Sequence, residues 1–310
     1  MVHLPAGVRG MAGRGETWAA WVRGLPRLAD DLLGEWDLRQ DGLAQHGYTA
    51  LVLPVRDRQE QPTVLKIAFP DDESAYEHLA LRTWQGHGAV RLVRADPRRR
   101  ALLLERLEDR TLDTVDAIEA CEVVAGLYGR LHVPAPPQLD LLSARAARWA
   151  TRLRALPRGA PVPHRLVEQA ASLAEDLALD PATDGRLVHF DLHFRNVLAA
   201  GRGPWLAIDP KPLSGDPHAE VAPMLWNRWD EVVASGDVRE AVRDRFFTLV
   251  DHAELDEDRA RAWVVLREMV MAVEELTADD AGRRSESAAA AAAVTTAVTI
   301  AVTIAKAVQD

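Results

Sequence analysis

The sequence predicts an α+β fold in two lobes, a small β-rich N-terminal lobe followed by a larger, mainly helical one. Strand patterns cluster between residues 47 and 104, helical periodicity dominates from residue 112 onward, and one short hairpin signal interrupts the helical part. With 310 residues, 48% of them apolar and 27% charged, the chain is long enough to give each lobe a core.

In chain order, residues 17–36 carry Trp18, Trp21, Leu25, Leu28, Leu32, Leu33 and Trp36 at helix-like intervals, interrupted by Pro26, and are expected to pack on the rest as an N-terminal helical extension. Strands follow at 50–56 and 63–67 with a polar turn between them, then a helix at 72–84 and two more strands at 90–95 and 101–104. Leu104-Glu105-Arg106-Leu107 reads as a hinge whose backbone, at Glu105 and Leu107, suits an adenine edge. Helices are expected at 112–131, 141–156, 162–179, 237–255 and 258–276, with loops at 134–137 and 280–287. The partition is therefore 1–104, a hinge at 105–107, and 108–310. Residues 287–305 are uncharged and rich in Ala, Thr and Val; the alanine run favours a helix over a strand, and weak hydrophobicity with no aromatic belt argues against a membrane span.

The chemistry concentrates in Val188-His189-Phe190-Asp191-Leu192-His193-Phe194-Arg195-Asn196 and, thirteen residues beyond Asn196, Asp209. Asp191 and Asn196 stand five apart, as in the protein-kinase catalytic loop H-R-D-x-x-x-x-N. Phosphoryl transfer needs a proton acceptor for the attacking hydroxyl, here Asp191, and oxygen ligands for the magnesium on the nucleotide phosphates, here Asn196 and Asp209. Each residue alone reads as a satisfied loop side chain; the combination does not. An independent sign is Lys66 on the strand Thr63-Val64-Leu65-Lys66-Ile67, because Lys66, Lys211 and Lys306 are the only lysines among 37 basic residues. A compact ammonium suits phosphate oxygens as a point charge. Glu77, with Glu73 one turn earlier as the competitor, would hold it.

A net charge of −10 argues against a nucleic-acid surface and fits a cationic small-molecule acceptor. Cys121 is the only cysteine, so no intrachain disulfide forms and a reducing, cytoplasmic setting is expected; residues 1–16 hold no apolar run of secretory length. There is no G-x-x-x-x-G-K-[ST] and no complete dinucleotide fingerprint, and Gly42-Leu43-Ala44-Gln45-His46-Gly47 is a poor Gly-rich loop where a phosphate-covering turn would lie.

Over nearly its whole length the chain resembles the aminoglycoside phosphotransferase-like kinases, and within them the streptomycin 6-phosphotransferase and hydroxyurea phosphotransferase group. The likeness is carried by Trp18, Trp21, Leu25-Pro26 and Trp36, Val64-Leu65-Lys66, Glu77, Gly88-Ala89-Val90-Arg91-Leu92, Leu103-Leu104-Glu105-Arg106-Leu107, the segment from His189 to Asn196, Trp205 to Lys211, and Gly215-Asp216-Pro217 to Leu225-Trp226-Asn227. The resemblance implies a bilobal protein-kinase-like fold, ATP and magnesium, Asp191 as base, Asn196 and Asp209 as metal ligands, and Lys66 with Glu77 at the phosphates.

Three departures stand out. Phe190 replaces the glycine usual before the catalytic Asp, and a phenylalanine reaches positive φ only at a cost. Glu220 replaces an Asp, which alters a buttressing hydrogen bond, and Asp109 falls where a Pro-Gly pair often follows the hinge. A streptomycin-type acceptor carries guanidinium groups and calls for carboxylates; Asp216, Asp230, Glu231, Glu268, Glu274 and Glu275 are available, with Trp226 and Trp229 as pocket walls. An aminosugar or other hydroxylated metabolite stands as the alternative acceptor, and a non-catalytic nucleotide-binding protein as the alternative class.

Overall fold

The computed structural model describes residues 2–278 and 288–309. The expected loop at 280–287 falls outside them. The chain divides into two compact units, Met1–Asp109 with Ala200–Lys211, and Arg110–Ala199 with Pro212–Asp310.

The first unit is built on an antiparallel sheet in the order Arg39–Gln40, Ala50–Arg56, Pro62–Ala68, Ala101–Glu105, Leu92–Asp96, with Gln45–His46 also paired to Ala50–Arg56. Strand alternation sorts its faces. Leu51, Leu53, Val55, Leu65, Ile67, Ala101 and Leu103 share one buried cluster with Val22, Leu25, Ala29 and Leu32 of the helix Glu16–Glu35. Lys66 pairs in register with Val52 and Leu102, out of phase with that set, and so belongs to the opposite face.

The helix Glu16–Glu35 runs unbroken through Pro26, although the sequence suggested an interruption. An interior proline costs about 3 kcal/mol, and the buried stripe Val22, Leu25, Ala29, Leu32 on the sheet offsets it. Trp18 stacks on Phe69 with ring centroids 3.6 Å apart, and Trp21 meets the same ring edge-on. The extension is thereby fastened to the turn after the strand that carries Lys66.

Residues Ala200–Lys211 join the first unit, whereas the sequence partition left them with the helical part. Their strand Gly203–Ala207 bonds to the segment after the helix Glu77–Trp84: Val90 N donates to the Ala207 carbonyl and Ala207 N to the Gly88 carbonyl, at 2.8 and 2.9 Å. Arg202 adds bonds to the Gly86 and Ala89 carbonyls and to the Glu105 carboxylate.

The second unit is mainly helical, with Ala117–Leu131, Leu142–Arg154, His164–Leu179, Val238–His252, Glu257–Ala278 and Ala288–Ala307 as its long helices. All but the first match the expected spans closely. Residues 112–131 break at Val115 into a single 3-10 turn, Leu112–Thr114, and the helix proper, which Asp116 caps by accepting from Ile118 N and Glu119 N. Cys121 is buried on that helix. The last helix buries Val298, Ala301, Ile304 and Ala305 at helical spacing, and no described helix is long and apolar enough to cross a membrane.

A strand pair not foreseen, Arg186–Val188 with Leu213–Gly215, leads into the segment from His189 to Asn196. Gly215 is obligatory there, since a Cβ would come within 2.8 Å of Val188 Cγ2. Three residues are too few to show a period, so Leu213–Gly215 left no strand signal in the sequence.

Candidate active site

The first unit assembles a four-charge cluster from three places in the chain. Lys66 Nζ donates to both carboxylate oxygens of Glu77, at 2.6 and 2.7 Å, and to Asp209 Oδ1 at 2.5 Å. Lys211 Nζ donates to the same Oδ1 at 3.0 Å. Glu77 opens its helix, which spans Glu77–Trp84 rather than the full 72–84, and so comes under the Lys66 ammonium as the lysine's partner. Asp209 sits at φ 56°, just beyond Trp205-Leu206-Ala207, and this left-handed turn re-aims its carboxylate.

Burial alone would push the Lys66 ammonium down, but the Asp209 and Glu77 carboxylates overcome it and hold the group above its ordinary value. Burial would likewise raise Asp209, yet Lys66 and Lys211 hold it well below the usual carboxylate range. For Glu77 burial prevails over Lys66 and leaves the carboxyl raised. An aspartate carboxylate is a hard oxygen donor of the kind a magnesium ion takes.

Glu105, expected at the hinge, ends its strand with its N–H on the Arg91 carbonyl and its carboxylate accepting from Arg91 N at 2.7 Å and from Arg202. Leu107 follows beyond the strand end.

The second unit holds the other motif. Asn196 Nδ2 donates to the Asp191 carbonyl at 2.8 Å and to Asp191 Oδ2 at 3.2 Å, which ties the two ends of the loop together and turns the amide oxygen away from Asp191. The 3-10 turn Phe194–Asn196 closes this loop, and Phe194 N donates to Asn227 Oδ1 at 3.2 Å.

Phe190 adopts φ 68°, so the conformation usually given to glycine is kept by a phenylalanine. Its surroundings hold it there. The Phe190 N–H donates to Glu220 Oε1, Arg267 Nη2 donates to the Phe190 carbonyl at 3.1 Å, and the Arg267 guanidinium lies 4.1 Å over the Phe190 ring. Glu220 is fully buried; its second oxygen bonds His132 Nε2 at 2.7 Å, and Tyr128 donates to its carbonyl. Burial would raise the Glu220 carboxyl, and the His132 contact brings it below its ordinary value. The longer Glu220 arm thus retains the buttress. Arg267, which the sequence reading passed over, also donates to the Ala219 carbonyl at 2.7 Å and so staples both sides of that buttress.

The family described as Aminoglycoside/hydroxyurea antibiotic resistance kinase matches residues 35–280. The chain belongs to the aminoglycoside/hydroxyurea antibiotic resistance kinases. It is accordingly an enzyme, a phosphotransferase that moves phosphate to a hydroxyl group. It is 42% identical over 273 residues to a streptomycin 6-kinase of Streptomyces glaucescens, covering 85% of this chain and 87% of that one. To the hydroxyurea phosphotransferase of Kitasatospora aureofaciens it is 42% identical over 277 residues, covering 86% and 76%. Among solved structures, the choline kinase LicA of Streptococcus pneumoniae is similar at a TM-score of 0.59 and 14% identity, covering 90% of this chain and 99% of that one, which shows a shared protein-kinase-like fold.

In this antibiotic resistance kinase the residues that the sequence suggests for the acceptor fall into distinct settings. Asp216 is buried and committed: Oδ1 accepts from His218 N and Nδ1, and Oδ2 from Arg259 Nε and Trp263 Nε1, at 2.5 to 3.0 Å. Trp226 is half-buried with its ring centroid 5.4 Å from that of His193, which lies between Asp191 and Asn196. Asp230 and Glu231 are exposed in the first turn of Trp229–Ala234, and Glu231 lies 3.2 Å from Arg228 Nε. Glu274 pairs with Arg152 at 3.1 Å on the surface.

Glu268 differs from all of these. It is buried, its Oε2 has no hydrogen-bond partner among the described residues, and burial pushes its carboxyl up to about 8 against the pull of Arg267. The folded protein therefore keeps a proton that the unfolded chain, ionising near 4.5, gives up. Stability contributed by the neutral form is complete below that lower value and drains away as pH rises toward 8. We expect the urea midpoint to fall between pH 5 and pH 8, and Glu268→Gln, which stays neutral, to flatten the fall. Parallel midpoints for the two proteins across that range would contradict this.

Proposed function

We propose that the enzyme transfers the γ-phosphoryl group of ATP to a hydroxyl of a streptomycin-type aminoglycoside and works in the cytoplasm. The observation that carries the phosphotransfer reading is the Lys66–Glu77–Asp209 cluster, a charge arrangement suited to nucleotide phosphates. The acceptor is proposed from the 42% identity to a streptomycin 6-kinase.

A bond forms between the acceptor oxygen and the γ-phosphorus while the bond from that phosphorus to the bridging oxygen of ADP breaks. The hydroxyl proton passes to the Asp191 carboxylate, which Asn196 Nδ2 holds in place. Lys66, fixed by Glu77, meets the phosphates, and the hinge at Glu105 and Leu107 meets the adenine edge. Magnesium, when bound, supplies charge neutralisation on the phosphates; Asp209 in the first unit and Asn196 in the second each offer an oxygen donor of the required kind. For the acceptor, Trp226 serves as a wall and Asp230 and Glu231 as exposed carboxylates for cationic groups. Asp216 drops out of that role, because both its oxygens are already spent.

A panel of streptomycin, kanamycin, hydroxyurea and glucosamine with radiolabelled ATP tests the reading. Hydroxyurea belongs in it because that relative is equally identical. Streptomycin should give the highest kcat/KM, and its KM should rise between about 50 and 300 mM salt while that of Mg-ATP changes less, since long-range capture of a polycation is screened. A neutral best acceptor, or a salt-independent streptomycin KM, would overturn the acceptor assignment.

A further inference from the structure

Two of the three lysines in the chain converge on one carboxylate oxygen. Lys66 and Lys211 both donate to Asp209 Oδ1, in a protein that carries 34 arginines against three lysines. The two are not equivalent. Lys66 also holds both oxygens of Glu77, whereas Lys211 donates to Asp209. We propose that Lys211 is a further catalytic residue, whose ammonium leaves Asp209 when Mg-nucleotide binds and takes the terminal phosphate oxygens of the transferring group.

Charge counting supports this. In the cluster two ammonium groups balance two carboxylates, Glu77 and Asp209. An Asp209 oxygen that ligates a divalent cation cannot keep two ammonium groups as well, because each would face the ion at hydrogen-bond range. The group without a second carboxylate bond is released. Lys66 stays with Glu77, and Lys211 becomes an unneutralised cation beside the metal ligand, next to the phosphoryl group that gains charge in the transition state.

The backbone fits such a part. Lys211 lies between Pro210 and Pro212, so the preceding residue has a ring-fixed φ and Lys211 itself is confined to extended conformations. Its flexible stem can swing while its Cα stays put. The side chain is only 16% exposed, so the ammonium is held on Asp209 and away from bulk solvent. A guanidinium is a longer, planar fork and does not reproduce the reach of a compact ammonium on a flexible stem.

The inference rests on nucleotide phosphotransfer as proposed above, and calorimetry separates the two. With magnesium present, binding of ADP and of the β,γ-imido analogue of ATP is compared for the unsubstituted protein, Lys211→Met, Lys211→Arg and Lys66→Met. Lys211→Met should weaken the imido analogue by about tenfold or more and leave ADP within about threefold, since one charge-assisted contact is lost at the terminal phosphate alone. Lys66→Met should weaken both. The kcat of Lys211→Met should fall by about 10² to 10³, the loss typical of one preorganised transition-state donor, and Lys211→Arg should recover little of it. Thermal melting of each variant accompanies the titrations, and Lys211→Arg, which keeps the charge on Asp209, supplies the folded comparison. Equal weakening of ADP and imido analogue in Lys211→Met would mean that Lys211 only balances Asp209 and would overturn the assignment, as would unchanged binding of both with near-normal kcat. Absence of any nucleotide binding by the unsubstituted protein would remove the nucleotide reading itself, and the role of Lys211 with it.

Discussion

Asp191→Ala should lower kcat by about 10² to 10⁴ and leave nucleotide affinity close to that of the unsubstituted enzyme. The carboxylate is assigned to the acceptor hydroxyl and to no nucleotide phosphate. Its loss therefore removes proton transfer and leaves the Lys66–Glu77 pair untouched in the other unit. Asp191→Asn provides the stricter comparison, because it preserves the size of the side chain and the bond from Asn196 Nδ2 to the residue 191 carbonyl. Both variants should show the same kcat deficit in steady-state kinetics and the same nucleotide titration by calorimetry. Turnover near the normal rate in either one removes Asp191 from the mechanism.

Asp209→Ala should abolish magnesium-dependent turnover, and it should weaken Mg-ATP more than metal-free ATP. Two effects separate here. The metal loses a ligand, and two ammonium groups lose the carboxylate oxygen they share, which leaves Lys66 and Lys211 with Glu77 alone to offset them. The second effect attracts metal-free polyphosphate rather than repelling it, so the magnesium-dependent and magnesium-free affinities should diverge. Asp209→Asn keeps a hydrogen-bond acceptor for the lysines and should show the same divergence with a smaller loss of stability. Calorimetry with and without magnesium measures both, and equal weakening in the two conditions contradicts the ligand assignment. Because the Asp209 carboxyl is held well below, and the Lys66 ammonium above, their ordinary values, neither group should contribute a limb to the pH profile between pH 5 and pH 9.

Local periodicity carried much of this arrangement. The strands Ala50–Arg56 and Pro62–Ala68 and the helix beginning at Glu77 arise from short-range pattern, and Lys66 stood out because lysine is scarce in this chain. The same scarcity could have singled out Lys211, two residues beyond Asp209, but a residue flanked by prolines reads first as a turn. Arg267 left no such sign, since one arginine among 34 on an amphipathic helix is ordinary until the Phe190 carbonyl is seen to face it. Membership of Ala200–Lys211 in the first unit was equally hidden, because it depends on bonds from Ala207 to Gly88 and Val90, more than a hundred residues earlier. Phe190 is the clearest case of tertiary override. Its side chain disfavours a positive φ, and the Glu220 and Arg267 contacts impose one.

The buried Cys121 makes the protein chemically quiet toward thiol reagents. Burial pushes its thiol up to about 12, so the thiolate that alkylating reagents attack is scarce at neutral pH, and the helix Ala117–Leu131 shields the sulfur as well. Since no other cysteine exists in the chain, a maleimide dye or spin label would report only on a cysteine that is deliberately introduced. Leu43 and Leu179, 88% and 85% exposed, are natural attachment points, and labels can be placed there without first stripping the native chain of its own thiol.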